Sequence, residues 1–509
     1  MSRFTFAVVA DLHLTKRKNT AQYAAFHWAI QDINERCPDF AVIAGDNTAY
    51  GDEEAIAYFK EKIKSIEVPY RVVNGNADIR TDETFAFALE MCRKEPLECG
   101  GRKIVAINTA DAHIYEDDRR EILKCGDGDI LIMHHNVDAL DEDSKAFLSA
   151  WAEAHKGLII HGHNHRDRDY MVGQTKCVGI RCMDADKAIG KGPCFVYFTV
   201  DGEEIQMEER LFEFSHSNVK DFRDKLGISC FDIYHDIDFA MENNLKNIEI
   251  RKFTGSDEEI AFLKDKVAQW RKAGGDIVSV HMPNLYWNGE GVDGLDKWYD
   301  ALRIVEALKV ETVTIHPPRF VFIKDMMSGS EVWNRLVEIF AERIRELPLT
   351  TKAGIENIHY LSKDVSAEER YFGYLPEEIL AFVDALNAPY GYERVGTVFD
   401  IGHARNNGPL FKRNVLSDWF GAVGKRTTAY HIHQTVPVPG RLQNHTAITD
   451  WTAAPSICFV SFIWAWQMNV VNHCPMFMEM KTKENCKISL EAFDTYAEKF
   501  IYKTKKDHR

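Results

Sequence analysis

The chain has 509 residues, enough for two or three domains that each bury a core of their own. Its apolar share of 45% is ordinary for a globular protein, and a formal charge of −16 excludes a general binder of polyanions, which needs a basic surface. The 11 cysteines form no Cys-x-x-Cys pair, which excludes a zinc ribbon or a secreted disulfide framework and fits reduced thiols in a cytoplasm.

In chain order, Phe4 to Ala10 reads as a buried strand that delivers Asp11 and His13. Residues i and i+2 of a strand share a face, so a carboxylate and an imidazole are expected to converge past the sheet edge. Tyr23 to Arg36 is periodic as a helix, and Phe40 to Ala44 is a second strand ending at Gly45-Asp46. Glu53 to Ile66 is helical, and Val68 to Val73 is a strand ending at Asn74-Gly75-Asn76-Ala77-Asp78. After a less regular stretch holding a strand at Lys103 to Asn108, Ile130 to Met133 runs into His134-His135. Ser144 to His155 is helical, and Leu158-Ile159-Ile160 runs into His161-Gly162-His163-Asn164-His165. Short antiparallel strands are expected from there to Leu211.

Five apolar strands thus each end in a metal-capable residue: Asp11 with His13, Asp46, Asn76, His134, and His161 with His163. One such histidine alone would be read as a half-buried core residue. At five successive strand ends the set is a site, because open α/β sheets place sites outside the carboxyl ends of their strands. Mixed Asp, Asn and His donors suit Mn, Fe or Zn. Two such cations sharing a carboxylate can activate a water and neutralise a phosphoryl group.

Asp11-x-His13, Gly45-Asp46, Gly75-Asn76-x-Asp78, His134 and Gly162-x-His, flanked by His161, resemble the signature of calcineurin-like metallophosphoesterases over roughly residues 3 to 211. The resemblance implies a four-layer α/β/β/α sandwich over residues 1–213 with two divalent metals. One would take Asp11, His13, Asp46 and His163, and the other Asp46, Asn76, His134 and His161, with Asp46 bridging. Most of that family carries a histidine where this chain has Ala77, a residue thought to contact or protonate the leaving group. His135 and His165 are spare imidazoles nearby and are the candidates to replace it.

Residues 214–225 read as a polar connector. From Leu226 the period changes to eight strand–helix units in about 280 residues, the size of a (β/α)₈ barrel. The stretch from Thr452 to Asn472 is uncharged and approaches spanning length, but Pro455, Gln467 and Asn469 make it a buried helix, expected over Ala453 to Val470. With no targeting leader ahead of the first strand, a cytoplasmic protein free of membrane is expected. Strand ends again carry the chemistry: His281, His316, Glu356, Asp400 with His403, His431 with His433, and Glu479. A carboxylate in such a place is costly to bury unless paired or metal-bound.

Gly354-Ile355-Glu356-Asn357, Phe399-Asp400-Ile401-Gly402-His403, His431-Ile432-His433 and Glu479-Met480-Lys481 resemble the xylose-isomerase-like barrels over residues 226–509, a group that includes sugar epimerases and isomerases and the endonuclease IV repair enzymes. The resemblance implies a divalent metal, Mn or Zn, on Glu356, Asp400, His431 and Glu479, with Glu356 and Glu479 also moving protons. His281 and His316 match the ligands of an additional zinc in endonuclease IV. The last zinc of that set needs Asp-x-His, where this chain has Gln443-Asn444-His445.

The expectation is a bifunctional enzyme of small-molecule metabolism. The sandwich hydrolyses a sugar- or polyol-derived phosphoester, a diester ahead of a monoester, and the barrel acts as an isomerase or epimerase on the sugar portion. A homo-oligomer is compatible with this. A repair nuclease is the runner-up, but the only short basic clusters are Lys16 to Lys18 and Lys503 to Arg509. A regulatory protein with one degenerate domain comes third, because both halves keep their ligand sets.

Overall fold

The computed structural model describes residues 2–80, 88–214, 219–360, 369–411, 415–439, 441–453 and 455–506. Residues 215–218 of the expected connector and 507–509 of the basic tail lie outside it. The chain divides into two compact units, Met1–Phe214 with Thr452–Ser461, and Ser215–Trp451 with Phe462–Arg509.

The first unit holds two sheets. One joins β1 (Phe4–Val9), β2 (Phe40–Ala44), β3 (Tyr70–Val73), β10 (Cys194–Asp201) and β11 (Glu204–Leu211) in the order β11-β10-β1-β2-β3. The other joins β4 (Leu97–Cys99), β5 (Arg102–Ile107), β6 (Ile130–Met133), β7 (Leu158–His161), β8 (Arg168–Val172) and β9 (Thr175–Gly179) in the order β4-β5-β6-β7-β9-β8. Strand alternation explains the layering. Phe6, Val8, Phe40, Val42 and Phe198 of the first sheet meet Ile104, Ile130, Ile132 and Ile160 of the second in one core. The alternate residues Val105, Ile107, Leu131 and Met133 face outward onto Leu148 and Trp151 of the helix Glu142–Ala154. Against the first sheet the helices Ala21–Arg36 and Glu53–Ile63 bury Phe26 and Phe59, whose ring centroids lie 5.6 Å apart. The fold is the expected α/β/β/α sandwich. Because β1, β2 and β3 are mutually parallel, as are β5, β6, β7 and β9, all their carboxyl ends open onto one edge.

The second unit is a closed barrel of eight parallel strands: β12 (Leu226–Cys230), β13 (Asn247–Ile250), β14 (Ile277–His281), β17 (Thr312–Ile315), β18 (Lys352–Glu356), β19 (Val395–Asp400), β20 (Thr427–Ile432) and β23 (Met476–Met478). Two hairpins, β15–β16 (Tyr286–Trp287 and Val292–Asp293) and β21–β22 (Gln434–Val438 and Arg441–Thr446), are inserted after β14 and β20. Each barrel strand lies where the sequence periodicity places one.

Two expectations change. The connector includes a helix, Val219–Lys225, within the second unit; Phe222 is fully buried among the rings of Trp451, Phe462, Trp466 and Phe493. Of the helix expected over Ala453 to Val470, only Val460–Gln467 is helical, and Thr452–Ser461 packs in the first unit. Pro455, which cannot donate to a helix ladder, lies in the part that does not coil. Among the described residues no helix is long and apolar enough to cross a membrane.

Candidate metal centres

At the sandwich edge, Asp11 and His13 lie beyond the end of β1, so strand alternation does not aim them. The backbone instead turns into the left-handed region, with φ of 55° at Asp11, 49° at His13, 49° at Asp46, 71° at His163 and 55° at His165. L-residues rarely adopt this region, and its cost clusters at functional sites. Cross-loop hydrogen bonds hold it, from Asp11 N to Gly45 O (3.0 Å) and from His13 N to Asp46 O (2.9 Å). The Asp78 carboxylate stitches the next two loops by accepting from Thr48 N (2.7 Å), Thr48 Oγ1 (2.8 Å) and Gly75 N (2.9 Å).

Two groups of donor atoms result. Asp11, His13, Asp46 and His165 form one, with ligand atoms within 4.8 Å of one another. His13 Nε2 lies 3.2 Å from His165 Nε2 and 3.5 Å from Asp46 Oδ2, and His165 Nε2 lies 3.4 Å from Asp11 Oδ1. In the other, Asn76 Oδ1 lies 3.0 Å from His163 Nδ1 and 3.2 Å from His134 Nε2, and those two nitrogens are 3.3 Å apart. Asp46 reaches both groups, with Oδ1 3.4 Å from His134 Nε2. Donors at 2.0–2.2 Å around a tetrahedral zinc would be about 3.4 Å apart, so this spacing fits a metal.

His161 is not brought into either group. Its Nδ1–H donates to Gly162 O (3.0 Å) and its Nε2 accepts from the Tyr170 hydroxyl (3.2 Å), which leaves no lone pair for a metal. The place expected for His161 goes to His163, and the place expected for His163 goes to His165, a shift of two residues. His135 stands with His134 and His163, each offering a ring nitrogen within 4.8 Å of the others, and its ring centroid is 4.3 Å from that of His163.

The electrostatics favour cation binding. Burial, and then the Asp11 carboxylate, push Asp46 up to about 6, while burial lowers His134 to about 4 and leaves its ring neutral with a free lone pair. His134 Nδ1–H donates to Ala44 O (3.1 Å), so Nε2 is the atom that faces Asn76 and Asp46. Glycines clear the space: a Cβ at Gly75 would sit 2.2 Å from Asp46 Oδ1, and one at Gly162 would sit 2.5 Å from Asp11 Oδ2.

At the carboxyl face of the barrel, Glu356, Asp400, His431 and Glu479 are all buried with ligand atoms within 4.8 Å of one another. His431 Nδ1 lies 3.0 Å from Glu356 Oε1, 2.9 Å from Glu479 Oε2 and 4.0 Å from Asp400 Oδ2. Glu356 Oε2 also lies 3.2 Å from His281 Nε2 and 3.0 Å from His316 Nε2, so this carboxylate joins two groups. Burial opposes the His431 charge, yet Glu249, Glu356 and Glu479 outweigh it and hold the ring protonated well above the usual range. Three carboxylates around one position that a proton now occupies fit a cation, and the buried Asp400 Oδ2 has no hydrogen-bond partner among the described residues. Glu479 is also paired with Arg251.

His403 joins a third group, with His433 and His445, rather than the carboxylate group. Its Nδ1 lies 3.1 Å from Asn357 O and 3.4 Å from Asp400 Oδ2. His433, which follows β20, stands beside His445, their ring centroids 4.4 Å apart. Sequence reasoning missed the role of His433, and also Glu249, whose carboxylate lies 3.0 Å from His431 Nε2.

A family model described as calcineurin-like phosphoesterase matches residues 4–167, and one described as a xylose isomerase-like TIM barrel matches residues 224–463. No curated protein matches the chain. Among solved structures, a dimetal phosphatase from Danio rerio is 10% identical over 41% of this chain and 96% of its own, with a TM-score of 0.32. A xylose isomerase domain protein from Planctomyces limnophilus is 12% identical over 54% of this chain and 97% of its own, with a TM-score of 0.38. Endonuclease IV from Thermus thermophilus is 17% identical over 54% of this chain and 99% of its own, with a TM-score of 0.35. The chain thus carries, in one polypeptide, a calcineurin-like phosphoesterase domain followed by a xylose isomerase-like TIM barrel.

Proposed function

We propose that the protein is a two-site metal-dependent enzyme whose sandwich hydrolyses a small sugar- or polyol-derived phosphoester, a diester ahead of a monoester, and whose barrel isomerises or epimerises the sugar portion. The observation that carries the first half is Asp46, one carboxylate that reaches two groups of donor atoms. Asp11, His13, Asp46 and His165 would hold one divalent ion and Asp46, Asn76, His134 and His163 the other. The ions, Mn, Fe or Zn, would activate a water and neutralise phosphoryl charge. The chain's own residues keep that arrangement: the His163 N–H donates to both Asp11 oxygens (3.2 and 3.1 Å), and Ala77 N–H donates to Asp46 Oδ1 (2.7 Å). In the barrel, Glu356, Asp400, His431 and Glu479 would hold Mn or Zn, and the Glu356 and Glu479 carboxylates would take and return a proton beside a bound polyol.

The test is Asp46→Asn, assayed with bis-p-nitrophenyl phosphate and by elemental analysis. Loss of hydrolysis together with a lower metal count is expected, and a fully active variant would remove the case for this centre. The imidazole group of His403, His433 and His445 favours a second reading, a nuclease with several ions in its barrel. Incision of abasic DNA by the wild type would promote it.

A further inference from the structure

The amino-terminal end of the barrel, opposite the metal groups, holds a cavity of about 580 Å³ that the proposed chemistry does not use. Ile277, Thr312, Lys352 and Thr427, the first residues of β14, β17, β18 and β20, line it. Lys352 opens the strand that Glu356 ends, so the length of β18, roughly 13 Å, separates the cavity from the barrel's carboxylate group.

The charge of this cavity is one-sided. Five lysine and arginine side chains, Lys225, Lys352, Arg394, Lys425 and Arg426, line it against two carboxylates, Glu311 and Glu393. Both carboxylates are already engaged. Glu311 accepts from Arg271 Nη2 (2.6 Å) and Val278 N (2.9 Å), and Glu393 accepts from Arg426 Nε (2.6 Å). Among the described residues, Lys225, Lys352, Arg394 and Lys425 have no carboxylate within ion-pair distance. Arg394 is only 5% exposed, and its terminal N–H groups donate to the carbonyls of Leu347 (3.2 Å), Pro348 (2.8 Å), Leu349 (2.9 Å) and Thr351 (2.6 Å). Those bonds fix the guanidinium in place and leave its charge uncompensated.

Two observations tie the rest of the wall to this charge. Burial pushes the Cys474 thiol up, while the Tyr430 hydroxyl and then Lys225 and Lys352 draw it down, so both ammonium groups act on the wall that Cys474 forms. The buried Thr312 hydroxyl has no hydrogen-bond partner among the described residues. It shares a face of β17 with Thr314, whose hydroxyl donates to Glu249 within the barrel, so Thr312 turns toward the barrel axis. A single exposed lysine is ordinary surface. Four uncompensated cations around one concavity repel one another and focus a positive field, in a chain whose formal charge is −16.

We propose that the amino-terminal cavity of the barrel binds a small phosphate-bearing molecule, its phosphoryl oxygens taken by Lys225, Lys352 and Lys425 over the fixed charge of Arg394. The site is separate from both metal centres and does not depend on how either is read.

Inorganic phosphate is the probe, titrated calorimetrically into the metal-loaded full chain at low ionic strength, with ions counted in each sample. Both metal centres can also take phosphate, so the readout is the binding that survives in the Asp46→Asn, Glu479→Gln chain. That binding is expected to weaken about tenfold with Lys352→Met and about tenfold with Lys425→Met, each the loss of one charge-assisted hydrogen bond, and further with both. Lys352→Arg should keep it. Both lysines are exposed, so the fold does not depend on them. If the Asp46→Asn, Glu479→Gln chain does not fold, the two changes are made singly, and the binding that both variants keep is the readout. Surviving phosphate affinity within about twofold in the chain that also carries Lys352→Met and Lys425→Met would overturn the proposal. Absence of any phosphate binding once both metal centres are impaired would overturn it as well.

Discussion

Glu249→Gln is the most informative single change in the barrel. The Glu249 carboxylate sits on β13, fully buried, and accepts from Thr314 Oγ1 (2.7 Å), Ser229 Oγ (3.0 Å) and His431 Nε2 (3.0 Å). Burial opposes its ionisation, but His431 draws it down to about 2, so it is a carboxylate at neutral pH. Its acceptance of Nε2–H leaves Nδ1 as the nitrogen that faces Glu356 and Glu479. Outer partners of this kind are worth roughly 10- to 100-fold in metal affinity, or about 1.4 to 2.8 kcal/mol. The glutamine keeps one acceptor oxygen for at least three donors, so a folding cost of about 1–3 kcal/mol is also expected. The assay is competition with a chelator of known affinity, in an Asp46→Asn background so that the barrel's ions are counted alone. Affinity within about twofold of the parent, in a folded protein, would refute the assignment of Glu249 as the residue that orients His431.

Two further outcomes follow from the geometry. His165→Ala should remove metal and phosphoesterase activity as Asp11→Asn does, whereas His161→Ala should keep the full ion count; elemental analysis of both variants decides between the two registers. Glu479→Gln should strip the barrel of metal and leave hydrolysis of an activated ester by the sandwich nearly unchanged. If hydrolysis falls too while circular dichroism shows a folded protein, the two sites are one.

The barrel strands and the sandwich were legible because buried strands of both units read as apolar runs, and their ends carry the chemistry. The ambiguity lay where donors repeat. His161-Gly162-His163-Asn164-His165 can be read in two registers, and periodicity cannot choose between them. The choice is made by Tyr170, on β8 two strands away in the same sheet, which occupies the His161 ring. Glu249 was passed over because a lone glutamate between Ile248 and Ile250 resembles the solvent face of a strand. In a closed barrel the other face points to the axis, and all four residues of β13 are buried.

The left-handed backbone at Asp11, His13, Asp46, His163 and His165 restricts these positions in a way that ligand chemistry alone does not. Asparagine, aspartate and histidine tolerate this region better than other side chains, and β-branched residues scarcely enter it. A mutational walk from these donors therefore cannot pass through threonine, valine or isoleucine without breaking the loop, whatever the metal requires. The one direction that relaxes the backbone is toward glycine, which enters the region freely and removes the donor in the same step.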